Sequence, residues 1–279
     1  MNADDSSFRT VECSNPVIDP AGLRFVTVKS RALDRRGDVT LYLPPGAEDV
    51  ADLPIVVLLH GVYDSHWAWA LKGAAHLTTA RLVAEGALPP VALLMPSDGL
   101  WGDGSGYVAH AYHDAERWII EEMPALAREL VDGCSADSPL LLAGLSMGGF
   151  GALRLAGKYP RLVTAAAGLS SITEAAQLDA LIEENRHGWS RAAADRDVFH
   201  ALTGADAPLP PLLLACGAND PYLDANRRLH WSLQGAGIAH AYREDAGGHE
   251  WPYWSAMLPE VLRFFGKVLR GKAEMEESA

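Results

Sequence analysis

An α/β fold, with a mostly parallel central sheet and helices on both of its faces, is predicted for this 279-residue chain. The main observation is a set of short runs at 55–59, 91–95, 140–143, 163–168 and 212–216, which are apolar apart from Thr164. Strands that are apolar on both faces are typical of parallel sheets covered by helices on both sides. Helix-like stretches alternate with these runs, and an alternating β pair precedes them, which completes the prediction.

The N-terminal part is predicted to be antiparallel. Residues 1–20 are polar and include Pro16 and Pro20, which predicts an extended lead-in. Residues 25–28 and 39–43 alternate with a period of two, and residues 34–38 supply a turn between them. We therefore expect the sheet to open with an antiparallel strand pair.

The helices of the prediction lie between the apolar runs, at 67–85, 113–131, 147–158, 223–234 and 254–269. Pro124 interrupts the second of them, so a break or a restart is expected there. We expect one domain over 21–272 and a C-terminal tail at 273–279. Segment 174–207 is longer than a crossover requires and should hold two polar helical stretches. It is either a cap over a site or an additional pair of surface helices.

Composition and charge exclude several classes of protein. Apolar residues make up 49% of the chain and charged residues 21%, as in globular rather than disordered proteins. The net charge is −13, which disfavours binding to nucleic acid and to anionic membranes. No apolar run reaches the roughly 18 residues of a membrane span. We therefore expect neither nucleic acid nor membrane as a partner.

Cysteine usage and the first residues indicate a cytoplasmic protein. Cys13, Cys134 and Cys216 are odd in number and scattered, which predicts neither a disulfide framework nor a metal site. Residues 1–10 lack the basic and apolar regions of a signal peptide, so none is expected. The glycines at 102–106 lack the features of a phosphate loop, and no GxGxxG motif is present. We expect no cofactor.

The strongest chemical signal is the sequence Gly-Leu-Ser-Met-Gly-Gly at 144–149. It follows an apolar run and precedes a helical stretch, which is the context of a G-x-S-x-G nucleophile elbow. Small flanking residues let strand and helix approach, so that the side chain of Ser146 is exposed at the turn. The alternative is a small-residue turn that only packs a helix on a sheet. Ser170 also follows an apolar run, but Ile172 stands where a second glycine is needed, so Ser170 is interpreted as an ordinary strand-end residue.

His249 is the candidate base. A serine hydroxyl needs a base to take its proton, and with this motif the chain order is serine, acid, histidine. Five histidines follow Ser146, but His187 and His200 lie in the 174–207 segment, His230 in a helical stretch and His240 in the last predicted strand. His249 lies in a glycine loop before the last helix, although a surface loop histidine is the alternative. A zinc motif would need histidine at position 253, which is Tyr253, so no metal is expected.

Asp220 is the candidate acid, because it follows the apolar run at 212–216. It would orient the imidazole and stabilise the imidazolium ion. Asp224, one helical turn later, is the reserve, and Asp206 lies at the wrong end of the strand. The alternative for Asp220 is a turn or helix-capping carboxylate next to Pro221.

An oxyanion hole needs two fixed N–H donors. One should be the N–H of Met147, the residue after the nucleophile, and the other should come from the loop after an early core strand. Residues 60–63 form that loop, and Val62 is the candidate because Gly61 lets the backbone turn inward. His60 is interpreted as structural rather than as a general base.

These stretches resemble the esterase D-type branch of the α/β-hydrolases, which includes acetyl xylan and feruloyl esterases, tributyrin-type esterases, S-formylglutathione hydrolases and mycolyltransferases. The similarity spans about residues 23–269 and is carried by residues 58–61, 95–96, 144–153, 216–220, 226–227, 248–251 and 254. It implies Ser146 as nucleophile, Asp220 as acid and His249 as base. It also implies the α/β-hydrolase fold.

Two loops depart from the family pattern. The 64–69 loop is aromatic where relatives often have a polar, glycine-rich run, and the 99–106 loop is also particular to this chain. Secreted relatives carry signal peptides and often carbohydrate-binding modules. Neither is expected in this sequence, so the resemblance does not imply a polysaccharide-degrading role. Trp67, Trp101 and Trp251 lie on or beside loops near the predicted active edge and are candidate substrate-binding residues. The alternative is that they pack loops on the sheet, as Trp118 and Trp231 should pack helices.

The predicted function is that of a serine carboxylester hydrolase acting on a small-molecule ester through an acyl-enzyme, with short acyl, acetyl or feruloyl-type esters as substrates. An acyltransferase would use the same residues with an alcohol in place of water, and a non-catalytic binding protein would keep only the fold. The sequence predicts no oligomeric state.

Overall fold

A computed structural model describes residues 6, 8, 10–15 and 21–276 of the protein, with side chains up to residue 271. The rest of the predicted lead-in and residues 277–279 of the predicted tail lie outside the described residues. Within the described part, nine strands form one sheet in the order β1-β2-β3-β5-β4-β6-β7-β8-β9. The strands are β1 (Val11–Cys13), β2 (Arg24–Lys29), β3 (Arg36–Tyr42), β4 (Ile55–Leu59), β5 (Ala92–Pro96), β6 (Leu140–Leu145), β7 (Val163–Leu169), β8 (Leu212–Gly217) and β9 (Ala241–Asp245).

The sheet has an antiparallel and a parallel part. Strands β1, β2 and β3 pair antiparallel, and β3 pairs antiparallel with β5. Strands β5, β4, β6, β7, β8 and β9 then pair in parallel. The predicted N-terminal pair and the parallel core are confirmed. The lead-in differs from the prediction, because β1 lies within it and pairs Val11 with Val28 at the edge of the sheet.

Both faces of the central strands are buried, as their continuous apolar runs predict. In β4, Ile55, Val57 and Leu59 point into one core, whereas Val56 and Leu58 point into the other. Helices cover each face, so no residue of this strand reaches solvent. Strand β9 is at the edge of the sheet and is correspondingly polar and exposed.

The helices of the structure are α1 (Ala68–Leu71), α2 (Ala75–Ala84), α3 (Ala115–Arg117), α4 (Met123–Leu130), α5 (Met147–Lys158), α6 (Ala193–Arg196), α7 (Val198–Thr203), α8 (Leu223–Gly235) and α9 (Trp251–Glu276). Residues of α5, α7 and α8 belong to one core, and residues of α2 and α9 belong to the other. This is the α/β-hydrolase arrangement of a mostly parallel sheet between two helical layers.

Two predicted helices depart from regular helical geometry. The stretch predicted at 67–85 divides into α1 and α2, because Gly73 lies too close to Trp251 and Trp69 to carry a side chain and Ala74 has a φ of +50°. In the other, a wider helical turn at Trp118–Glu122 precedes α4. The backbone nevertheless stays helical from Ala115 to Leu130. The break or restart predicted at Pro124 is therefore wrong: the proline, which has no N–H to donate, directly follows the wider turn inside a continuous helix.

Three further details differ from the predictions. Helix α9 begins three residues before the predicted start and continues to Glu276, into the predicted tail. Trp231 was expected in the core, but 61% of its surface is exposed. Helix α8 packs on the core through Leu229 and Leu233. Trp231 is two positions from each of them and therefore lies on the opposite side of the helix. Segment 174–207 holds a 3₁₀ helix (Ala175–Ala180), α6 and α7, rather than two longer helices.

Candidate active site

Ser146 lies in a sharp turn between β6 and α5. Its φ of +53° and ψ of −116° are strained for a residue other than glycine. A Cβ atom on Gly144 would lie 2.2 Å from the carbonyl carbon of Gly148, and one on Gly148 would lie 2.2 Å from the carbonyl oxygen of Leu59. Both flanking positions therefore require glycine, which is the steric condition of a nucleophile elbow.

The structure brings Ser146, His249 and Asp220 together. The Ser146 Oγ lies 3.0 Å from His249 Nε2, and His249 Nδ1 lies 3.0 Å and 3.2 Å from the two carboxylate oxygens of Asp220. Because a carboxylate only accepts, Nδ1 carries the proton, and Nε2 is left to accept the hydrogen of the serine hydroxyl. The arrangement is that of a nucleophile, a base and an orienting acid.

Two loops at the carboxyl ends of β8 and β9 position the acid and the base. The N–H of Asn219 donates to the carbonyl of Gly247 at 2.9 Å, and the N–H of Ala218 donates to Asp245 at 2.8 Å. A Cβ on Gly217 would lie 2.5 Å from the Gly247 carbonyl oxygen, so the loops approach each other backbone to backbone.

The carboxylate of Asp220 is held ionised. Burial raises its pKa, but the hydrogen bonds with His249 and with the N–H of Tyr222 work against this effect, and the pKa of Asp220 is lowered. The imidazole of His249 is 23% exposed and lies against the rings of Tyr222 and Trp254, at 5.1 and 5.0 Å between centroids. Ser170 directly follows β7, as expected of a strand-end residue, and its hydroxyl accepts a hydrogen bond from the indole N–H of Trp254 at 3.1 Å.

The rejected candidates lie elsewhere. Asp224 and Asp206 are exposed and pair with arginines. His187 and His200 are exposed in the 174–207 segment, and the ring of His230 bonds to that of His240. His240 immediately precedes β9 rather than lying within it.

Val62 and Met147 lie beside the serine turn. A Cβ on Gly61 would be 3.4 Å from the Cβ of Ser146, so the 60–63 loop passes next to the nucleophile. His60 is buried; its Nε2 accepts the N–H of Asp98 at 3.1 Å, and its Nδ1 then donates to the Gly61 carbonyl at 2.7 Å. In a trans peptide the N–H points opposite to the carbonyl, so this bond directs the N–H of Val62 away from His60.

Neither candidate N–H is used by the fold. The N–H of Val62 has no hydrogen-bond partner among the described residues. Met147 is the first residue of α5, so its N–H has no partner within the helix. Two donors of this kind next to a nucleophile can stabilise a developing oxyanion.

The 99–106 loop forms a wall next to these donors, a role that the sequence did not predict. A Cβ on Gly104 would lie 2.6 Å from Met147 Sδ and 3.1 Å from Val62 Cγ1. Asp98 fixes the loop, because one of its carboxylate oxygens accepts the N–H of Ser105 at 2.6 Å. The available signal in the sequence was an aspartate, Asp98, shortly after the apolar run that forms β5.

The three candidate tryptophans have different surroundings. Trp67 is 37% exposed and lies 5.2 Å below the ammonium group of Lys72. Trp251 is half-buried between Trp69 and Trp254, at centroid distances of 5.4 and 5.5 Å. Trp101 packs on the rings of His110 and Trp189. Trp67 is therefore the most available of the three to a ligand.

Two cavities lie away from the serine turn. One of about 400 Å³ is lined by Trp101, His113 and Glu184. A larger one of about 720 Å³, lined by Pro54 and Pro139, lies at the amino ends of the strands, opposite the edge that carries Ser146. The described residues contain no cluster of three or more side chains suited to a metal ion, and none of their helices is long and apolar enough to cross a bilayer.

The fold and the serine turn together define a hydrolase of the α/β type, and comparison with known proteins identifies its family. Residues 30–265 match the family described as "Putative esterase". An acetyl esterase of Caldicellulosiruptor saccharolyticus is 27% identical over 243 residues, which cover 79% of this chain and 86% of the relative. The chain belongs to this esterase family, and it is a serine esterase that hydrolyses carboxylic esters.

Solved structures share the fold. A ferulic acid esterase superposes with a TM-score of 0.75 at 23% identity, covering 93% of this chain and 98% of its own. A fluorophosphonate-binding serine hydrolase of Staphylococcus aureus superposes with a TM-score of 0.73 at 22% identity, over 86% of this chain and 96% of the hydrolase. An S-formylglutathione hydrolase of the same organism superposes with a TM-score of 0.73 at 19% identity, over 91% of this chain and 98% of that hydrolase. The predicted α/β-hydrolase fold and the resemblance to this esterase branch are confirmed.

Proposed function

We propose that the protein hydrolyses esters of short acyl groups, acetyl esters above all, through an acyl-enzyme formed on Ser146. The observation that carries this proposal is the continuous chain of contacts from the Ser146 hydroxyl to His249 and on to Asp220. The similarity to an acetyl esterase favours the acetyl group.

In the first half of the reaction, Ser146 Oγ attacks the ester carbonyl carbon while its proton passes to His249 Nε2. The carbonyl oxygen becomes an oxyanion that accepts the N–H groups of Val62 and Met147, each worth roughly 10²–10³ in rate. The Asp220 carboxylate stabilises the imidazolium. As the intermediate collapses, the bond to the leaving oxygen breaks, and His249 Nε2–H protonates that oxygen to release the alcohol.

In the second half, water attacks the acyl-enzyme. His249 takes a proton from the water, the new oxyanion occupies the same two N–H groups, and collapse returns the proton to Ser146 Oγ. The products are a carboxylic acid and free enzyme. Water could be replaced by an alcohol without changing any protein group, so product analysis decides between hydrolysis and acyl transfer.

The wall formed by Gly104 against Met147 and Val62 supports a short acyl group, because it leaves little room next to the oxyanion site. Trp67, Trp101 and Trp251 are proposed to contact the remainder of the substrate.

Segment 174–207 is proposed as a cap. The Tyr63 hydroxyl, next to the proposed oxyanion donor, donates to the carbonyl of Leu181, and Glu184 accepts the N–H of Asp103 at 3.1 Å.

The test is hydrolysis of p-nitrophenyl acetate, butyrate and octanoate by the wild type and Ser146→Ala. We expect kcat/KM to fall from acetate to octanoate, acetic acid to appear as product, and Ser146→Ala to abolish turnover. Ser171→Ala is the matched control, because Ser171 is also buried and its hydroxyl has no partner among the described residues. Turnover that survives Ser146→Ala would contradict the assignment, and a preference for octanoate would contradict the short acyl group.

A further inference from the structure

The cavity of about 400 Å³ lies between the 99–106 loop and the 174–207 segment. Its size falls within the range of about 300–1,000 Å³ that small-molecule sites occupy. Backbone hydrogen bonds of 2.7 and 2.9 Å join residues 109–111 to residues 188–190 and fix its frame. The cavity is therefore a preformed part of the fold.

Aromatic rings make up much of the lining of this cavity, namely those of Trp101, His110, Tyr112 and His113. The centroid of the Trp101 ring lies 4.6 Å from that of His110 and 5.9 Å from that of His113. Tyr112 is 89% exposed, so its ring is accessible to a ligand. Burial lowers the pKa of His110 and lowers the pKa of His113 to about 4, so both imidazoles are neutral at pH 7. The four rings therefore bring no positive charge to the cavity.

The charges that line the cavity are negative. Glu183 and Glu184 both belong to the lining, and none of the described residues that form it is a lysine or an arginine. The Glu184 carboxylate is held in place, because it accepts the N–H of Asp103 at 3.1 Å. A Cβ atom on Gly102 would overlap this carboxylate, so the negative charge lies against the loop next to Trp101.

Rings and carboxylates in this combination suit an organic cation. An aromatic ring attracts a cation over its face, and a carboxylate supplies the opposite charge. The alkyl groups of an ammonium ion also pack against the rings, whereas an anion would meet only negative charge. We infer that this cavity binds an alkylammonium group and that the 174–207 segment supplies the negatively charged wall. The net charge of −13 favours the approach of such a ligand.

The experiment measures the binding of choline and of its uncharged isostere, neohexyl alcohol, by calorimetric titration at constant ionic strength. In neohexyl alcohol a carbon atom replaces the quaternary nitrogen of choline, so the two probes share one shape. We expect choline to bind about tenfold more tightly, because the ring faces and the carboxylates attract only the charged probe. Equal affinities for the two probes, or no binding of choline, would overturn the inference.

Two variants test the lining. Glu184→Gln keeps an oxygen that can accept the Asp103 N–H but removes the charge, and it should weaken choline binding about fivefold. Trp101→Leu should weaken it by a similar factor through the loss of a ring. The matched control is Glu48→Gln, because Glu48 is exposed in a 3₁₀ helix that precedes β4, at the opposite edge of the sheet. An unchanged choline affinity in Glu184→Gln, or an equal loss in Glu48→Gln, would contradict the inferred site.

Hydrolysis then identifies the source of the cation. Binding itself does not rest on the proposed function, but assigning the cation to the substrate does. A higher kcat/KM for acetylcholine than for neohexyl acetate, lost in Glu184→Gln, would place the ammonium group in the alcohol part of the ester. Equal values for the two esters, together with choline binding, would mean that the cation is a separate ligand. Failure of the proposed function would appear as a wild type inactive on p-nitrophenyl acetate, and the titrations would still decide the inference.

Discussion

Arg154 joins the helix that follows the nucleophile to two other parts of the chain. It is on α5 and fully buried, with Nη1 2.5 Å from Glu116 of α3 and 2.8 Å from Asp195 of α6. Lys158, one turn further along α5, contacts the same two carboxylates. We predict that Arg154→Met strongly destabilises the protein, because it leaves two buried carboxylates with one cation.

The size of the effect follows from these contacts. Removing one partner of a buried ion pair typically costs about 3–5 kcal/mol. Lys158, the Tyr159 hydroxyl and the Ser190 hydroxyl still bind the carboxylates, so we expect the lower end, about 3 kcal/mol. For a chain of this size that corresponds to a fall of about 6–12 °C in Tm.

The effect should depend on pH. Burial raises the pKa of Glu116 and of Asp195, but their bonds to Arg154 and Lys158 outweigh it and lower both. Carboxylates with lowered folded-state pKa values add stability above their unfolded pKa, near 4, and this stability is lost as pH falls through the folded values. The difference in the free energy of unfolding between wild type and Arg154→Met should therefore be largest near pH 7 and should decrease below about pH 4.

The assay is urea unfolding at several pH values, with Arg161→Met as the matched control. Arg161 pairs with Asp206 on the surface, where the two side chains are 65% and 71% exposed, so its loss should cost less than about 1 kcal/mol. Equal losses of unfolding free energy in Arg154→Met and Arg161→Met would refute this reasoning. So would a difference between wild type and Arg154→Met that stays the same in acid.

Two further predictions concern the site. Asp220→Asn should lower kcat for p-nitrophenyl acetate by about 10³–10⁴ with little change in KM, because a neutral amide does not stabilise the imidazolium of His249. A loss of kcat below tenfold would show that another residue acts as the acid. His60→Phe should lower kcat by about tenfold or more, because the Gly61 carbonyl loses the hydrogen bond that orients the Val62 N–H. The loss should stay below the roughly 10²–10³ that removal of an oxyanion-hole donor costs. The comparison is His66→Phe in the adjoining 64–69 loop, because His66 Nδ1 bonds to the Thr40 hydroxyl and not to the 60–63 loop. Equal kcat values for the two variants would contradict this role.

The apolar pattern predicted most of the fold. The runs at 55–59 and 140–143 are apolar at every position, and only a strand covered on both faces buries them all, so the parallel sheet followed directly. The break in the helix at 72–74 could not be predicted in this way. It depends on the close approach of Gly73 to Trp251, which is about 180 residues away along the chain.

The meeting of Ser146, Asp220 and His249 could be anticipated, because each follows a parallel strand and such strands end at the same edge of the sheet. Their supporting contacts could not. The hydrogen bond from Trp254 to Ser170 and the ion pair of Arg154 with Glu116 join residues that are distant in sequence, and no local spacing relates them.

The most direct test of the central claim is covalent labelling by a fluorophosphonate, followed by intact-mass measurement and peptide mapping. Only a serine activated by a base reacts rapidly with such a probe. We predict one adduct per chain, located on Ser146, absent from Ser146→Ala and formed far more slowly in His249→Ala. An adduct on another residue, or labelling that is unchanged in His249→Ala, would contradict the proposed triad.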